Sequence, residues 1–164
     1  MKFAGILNAL TLAGIVGIGA YQIQDATAQE IANSISKEDR YCLQQNIFFE
    51  ARNQSTLGQV AVAWVTLNRM ESSRYPDTIC DVVWQHKQFS WTHDGKKDTP
   101  SDNVLEQKAW EKARTVAEVV LIDWARGLNS PVEEATMYHA DYVNPYWSTS
   151  YARVARVDSH IFYE

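Results

Sequence analysis

The chain has 164 residues, of which 46% are hydrophobic and 21% are charged, and its net charge is −5. This length supports one domain with its own core, and this composition excludes an intrinsically disordered chain. The acidic balance, without any long run of Lys or Arg, argues against nucleic acid as a partner.

The first 28 residues have the layout of an export signal. Lys2 precedes an apolar run over residues 3–21, and the polar stretch after it ends in Ala26-Thr27-Ala28. This order is typical of a secretory signal peptide, so residues 1–28 are expected to be cleaved before Gln29. The alternatives are a retained signal-anchor and a transient membrane association, because the run approaches the length of a membrane span. We therefore predict an exported protein of the periplasm or cell envelope.

Four helices are predicted after a lead-in linker over residues 29–35. Side chains that can cap a helix mark where each one begins. Apolar residues recur at three- and four-residue spacing within the longer helices. The predicted helices run from Ser36 to about Arg52, from Thr56 to about Ser72, from Thr78 to about Trp84, and from Ser101 or Asp102 to about Arg126.

Glu50 is the first candidate for a catalytic group. It follows the apolar residues Ile47, Phe48 and Phe49 and lies on the flank of the apolar stripe of the first helix. A carboxyl among apolar side chains has its charged form disfavoured, so its pKa should rise. A general acid at neutral pH needs such a setting. The alternative is a solvated glutamate at a helix end, which is where most glutamates lie.

Cys42 and Cys80 both lie in the part of the chain that is predicted to be exported. An even number of cysteines outside the cytoplasm predicts a disulfide, here one that ties the start of the first helix to the third. Two buried free thiols are the alternative. Neither cysteine has an obvious partner ligand, and we expect no metal or cofactor.

The remainder predicts a long loop and then a small sheet. The segment 85–102 is polar but contains Phe89 and Trp91, which favours an ordered, functional loop. Strands are predicted at 135–139, 153–157 and 160–163, the last two as a hairpin that turns at Asp158-Ser159. The predicted architecture is therefore α+β, with about four helices and a small antiparallel C-terminal sheet.

An ordered series of short motifs runs through residues 41–163: Cys42-Leu43, Asn46 to Arg52, Gly58 to Ala63, Leu67 to Arg69, Tyr75 to Cys80, Gln88 to Trp91, Tyr138 to Trp147, and His160 to Tyr163. Together they resemble the cell wall hydrolase family, typified by the catalytic domain of the SleB-type spore cortex-lytic enzymes. The resemblance covers almost the whole chain after residue 40.

The resemblance implies that residues 41–164 form a catalytic domain with a lysozyme-like, resuscitation-factor-like fold, which follows residues 29–40 as linker and helix start. It implies a lytic transglycosylase that cleaves the β-1,4 bond between N-acetylmuramic acid and N-acetylglucosamine in peptidoglycan, with Glu50 as the acid/base. We expect peptidoglycan glycan strands as the partner and a monomer in solution. The chain departs from the spore pattern in two ways. Asn53 stands where the family usually has Gly, which is expected to change the turn after Glu50. The expected lack of a separate N-terminal peptidoglycan-binding repeat favours a general wall or phage-lysis role over a spore-cortex role.

Several other side chains are candidates for holding the sugar. Trp91 and Trp147 offer flat faces on which a sugar ring could stack. Tyr138 and His139 have the alternative of hydrogen-bonding within the sheet, and Trp147 that of lying in the core. The candidate polar groups are Gln88, Ser90, Tyr138, His139 and Asn144.

Four other functions stay open at this point. A lysozyme-type muramidase or phage endolysin needs a second carboxylate about 5 to 9.5 Å from the first, and its candidates are Asp94, Asp98 and Asp141. A zinc-dependent amidase or peptidase would draw on ligands without any strong metal-site spacing, namely His86, His93, Asp94, His139, Asp141 and His160. A wall-binding protein would use the aromatic residues without catalysis, and a cysteine hydrolase would use Cys42 or Cys80.

Overall fold

Helices precede a small sheet in residues 25–164, the part of the chain that the computed structural model describes. The helices are α1 (Lys37–Ala51), α2 (Thr56–Glu71), α3 (Ile79–Trp84) and α4 (Val104–Ala125). Residues 1–24 lie outside the described residues, and most of the predicted export signal falls there. Within residues 25–164, no helix has both the length and the apolar character needed to cross a membrane.

Residues 25–34 form a further helical segment ahead of α1, so the linker predicted over residues 29–35 is wrong. Ala28 and Ala32 of this segment are only 2% and 1% exposed. Arg40 of α1 donates a hydrogen bond to the carbonyl of Ala32. The two alanines are four residues apart, which places both on one face of the helix against the domain.

Side-chain caps define where the four helices begin. The observed caps are Ser36, Ser55, Thr78 and Asn103. Ser36 and Thr78 are the caps that the sequence predicted. The cap predicted at Thr56 is wrong by one residue, and the cap predicted at Ser101 or Asp102 is wrong by one or two residues. In both cases a neighbouring residue of the same capping class supplies the oxygen instead.

The sheet is antiparallel, with the order β1-β3-β2. Its strands are β1 (Met137–Ala140), β2 (Arg153–Val157) and β3 (His160–Tyr163), and β2 and β3 form the predicted hairpin. The strand predicted at 135–139 begins later, at Met137. Tyr138 is paired with the fully buried Phe162. Because side chains alternate across a strand, Tyr138 faces the helices and His139 faces the other way.

The core lies between the helices and the inner face of the sheet. Phe48, Leu43 and Ile47 of α1 are at most 1% exposed, and α1 packs on α2, α3 and α4. The predicted disulfide between Cys42 and Cys80 is present and joins α1 to α3. These contacts hold α1 firmly.

The turn between α1 and α2 is tied to the β2–β3 turn. A carboxylate oxygen of Asp158 accepts a hydrogen bond of 2.8 Å from the backbone N–H of Ser55. Gly58 lies directly under this contact, and a Cβ atom at that position would collide with the Asp158 carboxylate. This close approach brings the end of α1, and therefore Glu50, up to the sheet.

Candidate active site

Glu50 lies in the last turn of α1, and its side chain is half-buried. Burial raises the pKa of the Glu50 carboxyl above its ordinary value. A hydrogen bond from Tyr138 and the positive charge of Arg69 each lower that pKa, but burial is the largest cause, so the net change is upward. The raised pKa expected from the apolar setting is therefore present in the structure.

Tyr138 presents its hydroxyl to Glu50 from β1. The phenol donates a hydrogen bond of 2.9 Å to Oε2 of Glu50. The Tyr138 ring packs against His160 and Phe162, with centroids 5.2 and 5.6 Å apart. Burial, with the Glu50 charge beside it, raises the pKa of Tyr138 well above its ordinary value. The phenol therefore stays protonated near neutral pH and remains a donor.

Arg69, in the last turn of α2, is the third charged or polar group at this point and is only 4% exposed. Its Nε donates a hydrogen bond of 2.7 Å to the carbonyl of Thr136, and its guanidinium lies 5.1 Å from the centroid of the Phe89 ring. Burial lowers the pKa of Arg69 from its ordinary value. Nη1 of Arg69 has no hydrogen-bond partner among the described residues. A buried donor left in this state is costly unless a ligand completes it.

A cavity of 470 Å³ opens in front of these three residues, and we call it the Glu50 cavity. Of the predicted sugar-binding residues, Gln88, Ser90 and Tyr138 line it together with Glu50. The sequence interpretation missed the remaining lining residues as sugar-binding groups: Arg69, Lys87, Phe89 and His93.

One sequence signal could have pointed to Arg69. It follows the apolar Val62 and Val65 at helical spacing, which predicts that it lies on the inner side of α2. A charged residue there needs a buried role. Nothing comparable in the sequence marks Lys87, which has a φ of 65° in the structure, a strained conformation for a residue other than Gly. Its backbone N–H donates a hydrogen bond of 3.2 Å to Nε2 of His93, which closes the loop around the cavity.

Trp91 is not a stacking face, because it is buried and only 6% exposed. Its ring stacks on Phe49 with centroids 4.7 Å apart, and its indole N–H donates a hydrogen bond to Asn46. The prediction that Trp91 offers an open face to sugar is therefore wrong. The aromatic ring instead holds the loop onto α1 close to Glu50.

Three other predicted binding residues do not line the Glu50 cavity. His139 lies on the outer face of the sheet, where Nε2 is 2.9 Å from the Tyr163 hydroxyl. Trp147 packs edge-on against His139, with centroids 5.5 Å apart. Asn144 is exposed in the loop after β1. A sugar-binding role for these residues stays a prediction, and it would have to concern a surface other than this cavity.

The candidate second carboxylates lie elsewhere. Asp141 accepts a hydrogen bond of 2.5 Å from Arg156, and Asp94 and Asp98 line a neighbouring cavity. Among the described residues that line the Glu50 cavity, Glu50 is the only carboxylic acid. No group of three or more His, Cys, Asp or Glu within residues 25–164 is placed to hold a metal ion. Both cysteines are in the disulfide, so the cysteine-hydrolase alternative is wrong.

Comparison with known proteins gives a consistent set of relatives. A family model for cell wall hydrolases matches residues 53–163, a span that begins just after Glu50. The spore cortex-lytic enzyme of Bacillus subtilis (strain 168) is 30% identical over 142 residues, which are 86% of this chain and 42% of that protein. The chain spans less than half the length of the curated relatives that it matches.

Solved structures resemble this fold along most of the chain. The catalytic domain of the germination-specific lytic transglycosylase SleB from Bacillus anthracis has a TM-score of 0.61 and 27% identity, covering 80% of this chain and 98% of that one. The catalytic domain of the Bacillus cereus SleB protein has a TM-score of 0.57 and 28% identity, covering 80% and 94%. The expected lysozyme-like α+β fold is confirmed, with residues 25–34 as an additional helical segment.

Proposed function

The chain belongs to the cell wall hydrolase family, and we propose that it cleaves peptidoglycan glycan strands at the β-1,4 bond between N-acetylmuramic acid and N-acetylglucosamine. One observation carries this proposal. A half-buried carboxyl with a raised pKa lies in a cavity whose described lining contains no second carboxylate. That arrangement suits a lytic transglycosylase, in which one group acts first as acid and then as base. The relative from Bacillus anthracis bears that activity in its name.

Glu50 acts first as a general acid. Because its pKa is raised, the carboxyl retains its proton closer to neutral pH than an ordinary glutamate would. It donates this proton to the glycosidic oxygen while the bond from that oxygen to the anomeric carbon of the muramic acid breaks. The departing N-acetylglucosamine leaves with a hydroxyl group, and Glu50 becomes a carboxylate.

Glu50 then acts as a base. Its carboxylate takes the proton of the muramic acid 6-hydroxyl while that oxygen forms a bond to the anomeric carbon. The product is a 1,6-anhydro sugar, no water is consumed, and Glu50 regains its proton. Between the two steps the carboxylate is stabilised by the Tyr138 hydroxyl at 2.9 Å and by the charge of Arg69.

The other lining groups would hold the sugar. Nη1 of Arg69 is a buried donor without a protein partner among the described residues, and an acceptor oxygen of the substrate would complete it. Gln88 and Ser90 add neutral polar groups on the loop side of the cavity. Positioning of this kind is worth several kcal/mol in enzymes generally.

The two remaining catalytic alternatives have less support. A lysozyme-type enzyme needs a second carboxylate across the scissile bond, and Asp141 is instead paired with Arg156 on the exposed edge of the sheet. A zinc enzyme needs three or more protein ligands, and His93 is the only histidine among the described residues that line the Glu50 cavity. We further propose action outside the cytoplasm, which the signal-like N-terminus and the disulfide support.

The direct test is Glu50→Gln, which keeps the shape of the side chain and removes the proton that is transferred. We expect muropeptide release from purified peptidoglycan to fall by about 10²- to 10⁴-fold, the usual contribution of a general acid or base. Glu134→Gln is the matched control, since Glu134 is exposed and does not line the Glu50 cavity. Wild-type release by Glu50→Gln would refute the proposed role of Glu50. No release by either the wild type or Glu50→Gln, with wall binding intact in both, would favour the wall-binding alternative.

A further inference from the structure

A second cavity, of 690 Å³, lies beside the Glu50 cavity, and the proposed reaction does not use it. We call it the loop cavity, because Asp94 and residues 96–102 of the long loop form its rim. Phe49 and Trp91 contribute to its floor. The two cavities are neighbours through α1, since Glu50 lines one and the adjacent Phe49 lines the other.

The rim of the loop cavity carries unpaired charges of both signs. Within residues 25–164, no ion pair involves Lys97, Asp98 or Asp102, although all three line this cavity. The same loop shows that a pairing is possible, because Lys96 is 3.1 Å from the Asp94 carboxylate. Cations and anions that line one cavity without neutralising each other suit a ligand that itself carries both charges.

The charges of the rim favour a peptide over a sugar. The sugar units of a glycan strand whose muramic acid carries a stem peptide have no ionised group of their own, whereas Lys97, Asp98 and Asp102 of the rim are charged. The aromatic lining consists of the buried Phe48 and Trp91 and the half-buried Phe49. The stem peptide of peptidoglycan is attached to the lactyl group of muramic acid. It carries carboxylates on its glutamyl and terminal residues and, in many walls, an ammonium group on its diamino acid.

The width of α1 suits such a branch. The two cavities are lined by consecutive residues of α1, Glu50 and Phe49, whose side chains leave the helix in different directions. A helix with its side chains is about 10–12 Å across, and an extended stem of three or four residues spans about 10–14 Å. A stem that leaves a muramic acid in the Glu50 cavity is therefore long enough to reach the loop cavity. We propose that the loop cavity binds the stem peptide, so that the substrate is a peptide-bearing glycan strand. This inference rests on the proposed function.

The test compares two forms of one substrate. Glycan strands with intact stem peptides are assayed beside the same strands after an amidase has removed the peptides. We expect kcat/KM of the wild type to be about tenfold higher on the peptide-bearing strands, the size of one charge-assisted contact. Lys97→Glu should reduce this preference about tenfold by the same reasoning, mainly through KM. Lys112→Glu is the control, because Lys112 is exposed on α4 and lines neither cavity.

The outcomes separate this inference from the proposed function. Equal kcat/KM on the two substrates would overturn the peptide site and leave the glycan-cleaving function intact. An equal loss on both substrates with Lys97→Glu would assign the loop cavity to further sugar units. Release from neither substrate would overturn the function. The peptide site then has its own test. Free stem tetrapeptide added to Glu50→Gln should shift the backbone amide NMR signals of residues 94–99, 101 and 102, and unmoved signals would overturn the peptide site.

Discussion

Replacing Tyr138 by Phe removes the hydrogen bond to Glu50 and little else. The ring that packs against His160 and Phe162 is kept, and only the hydroxyl at 2.9 Å from Oε2 is lost. A hydrogen bond to a charged group stabilises it by about 1.5–3 kcal/mol. The carboxylate form of Glu50 should lose stabilisation of this order, whereas the protonated form should lose less.

Two kinetic effects follow from this loss. The free enzyme requires Glu50 to be protonated, so activity falls as pH rises through its pKa. Losing the Tyr138 donor raises that pKa further, and the basic limb of kcat/KM should move to higher pH. Because the intermediate state contains the carboxylate, kcat at the optimum should fall by about ten- to a hundredfold.

The assay is a pH profile of muropeptide release for Tyr138→Phe beside wild type. Tyr146→Phe is the matched control, because Tyr146 is 92% exposed and loses the same atom away from the site. Thermal unfolding checks that all three proteins are folded. An unchanged profile, or a basic limb displaced to lower pH, would refute the assignment of Tyr138 as the donor that stabilises the Glu50 carboxylate.

Two further predictions concern stability. The pKa of Glu50 is raised in the folded state, so its contribution to stability is complete below its unfolded pKa and is lost as pH rises through its folded pKa. Glu50→Gln should therefore have a higher melting temperature than wild type at neutral pH, and this gain should disappear in acid. Equal melting temperatures at pH 7 would contradict the raised pKa. The Cys42–Cys80 bridge spans 38 residues, so the double substitution Cys42→Ser with Cys80→Ser should lower the free energy of unfolding by about 4 kcal/mol in the chain-entropy model. Denaturant titration measures this free energy. A loss near zero would show that the bridge adds no constraint on the unfolded chain.

The parts of the site that depend on local pattern were predictable from the sequence. Helical periodicity placed Glu50 on the flank of an apolar stripe, and the structure has it half-buried there with a raised pKa. Gln88, Ser90 and Tyr138 were candidates as polar side chains that could hold the sugar, and all three line the Glu50 cavity. The position of each of these four residues follows from the helix, the loop or the strand in which it lies.

The parts that depend on distant contacts were not predictable in the same way. Arg69 is buried because the carbonyl of Thr136 and the ring of Phe89, both far along the chain, meet it. An aromatic residue in a polar loop gives the same sequence pattern whether it is open or packed, and Trp91 packs on Phe49. His139 differs from Tyr138 by one position in a strand, which is enough to place it on the opposite face of the sheet.

The nucleophile that attacks the anomeric carbon, either the 6-hydroxyl of the muramic acid or a water molecule, is the centre of this account, and the chemical ends of the products report it directly. Purified peptidoglycan is digested with the wild-type protein, and the released muropeptides are examined by mass spectrometry without prior reduction. A single acid/base at Glu50 predicts 1,6-anhydromuramic acid ends, each lighter by one water than a reducing end. Products with reducing ends alone would contradict the account, because they require that water, and not the 6-hydroxyl of the muramic acid, attacks the anomeric carbon.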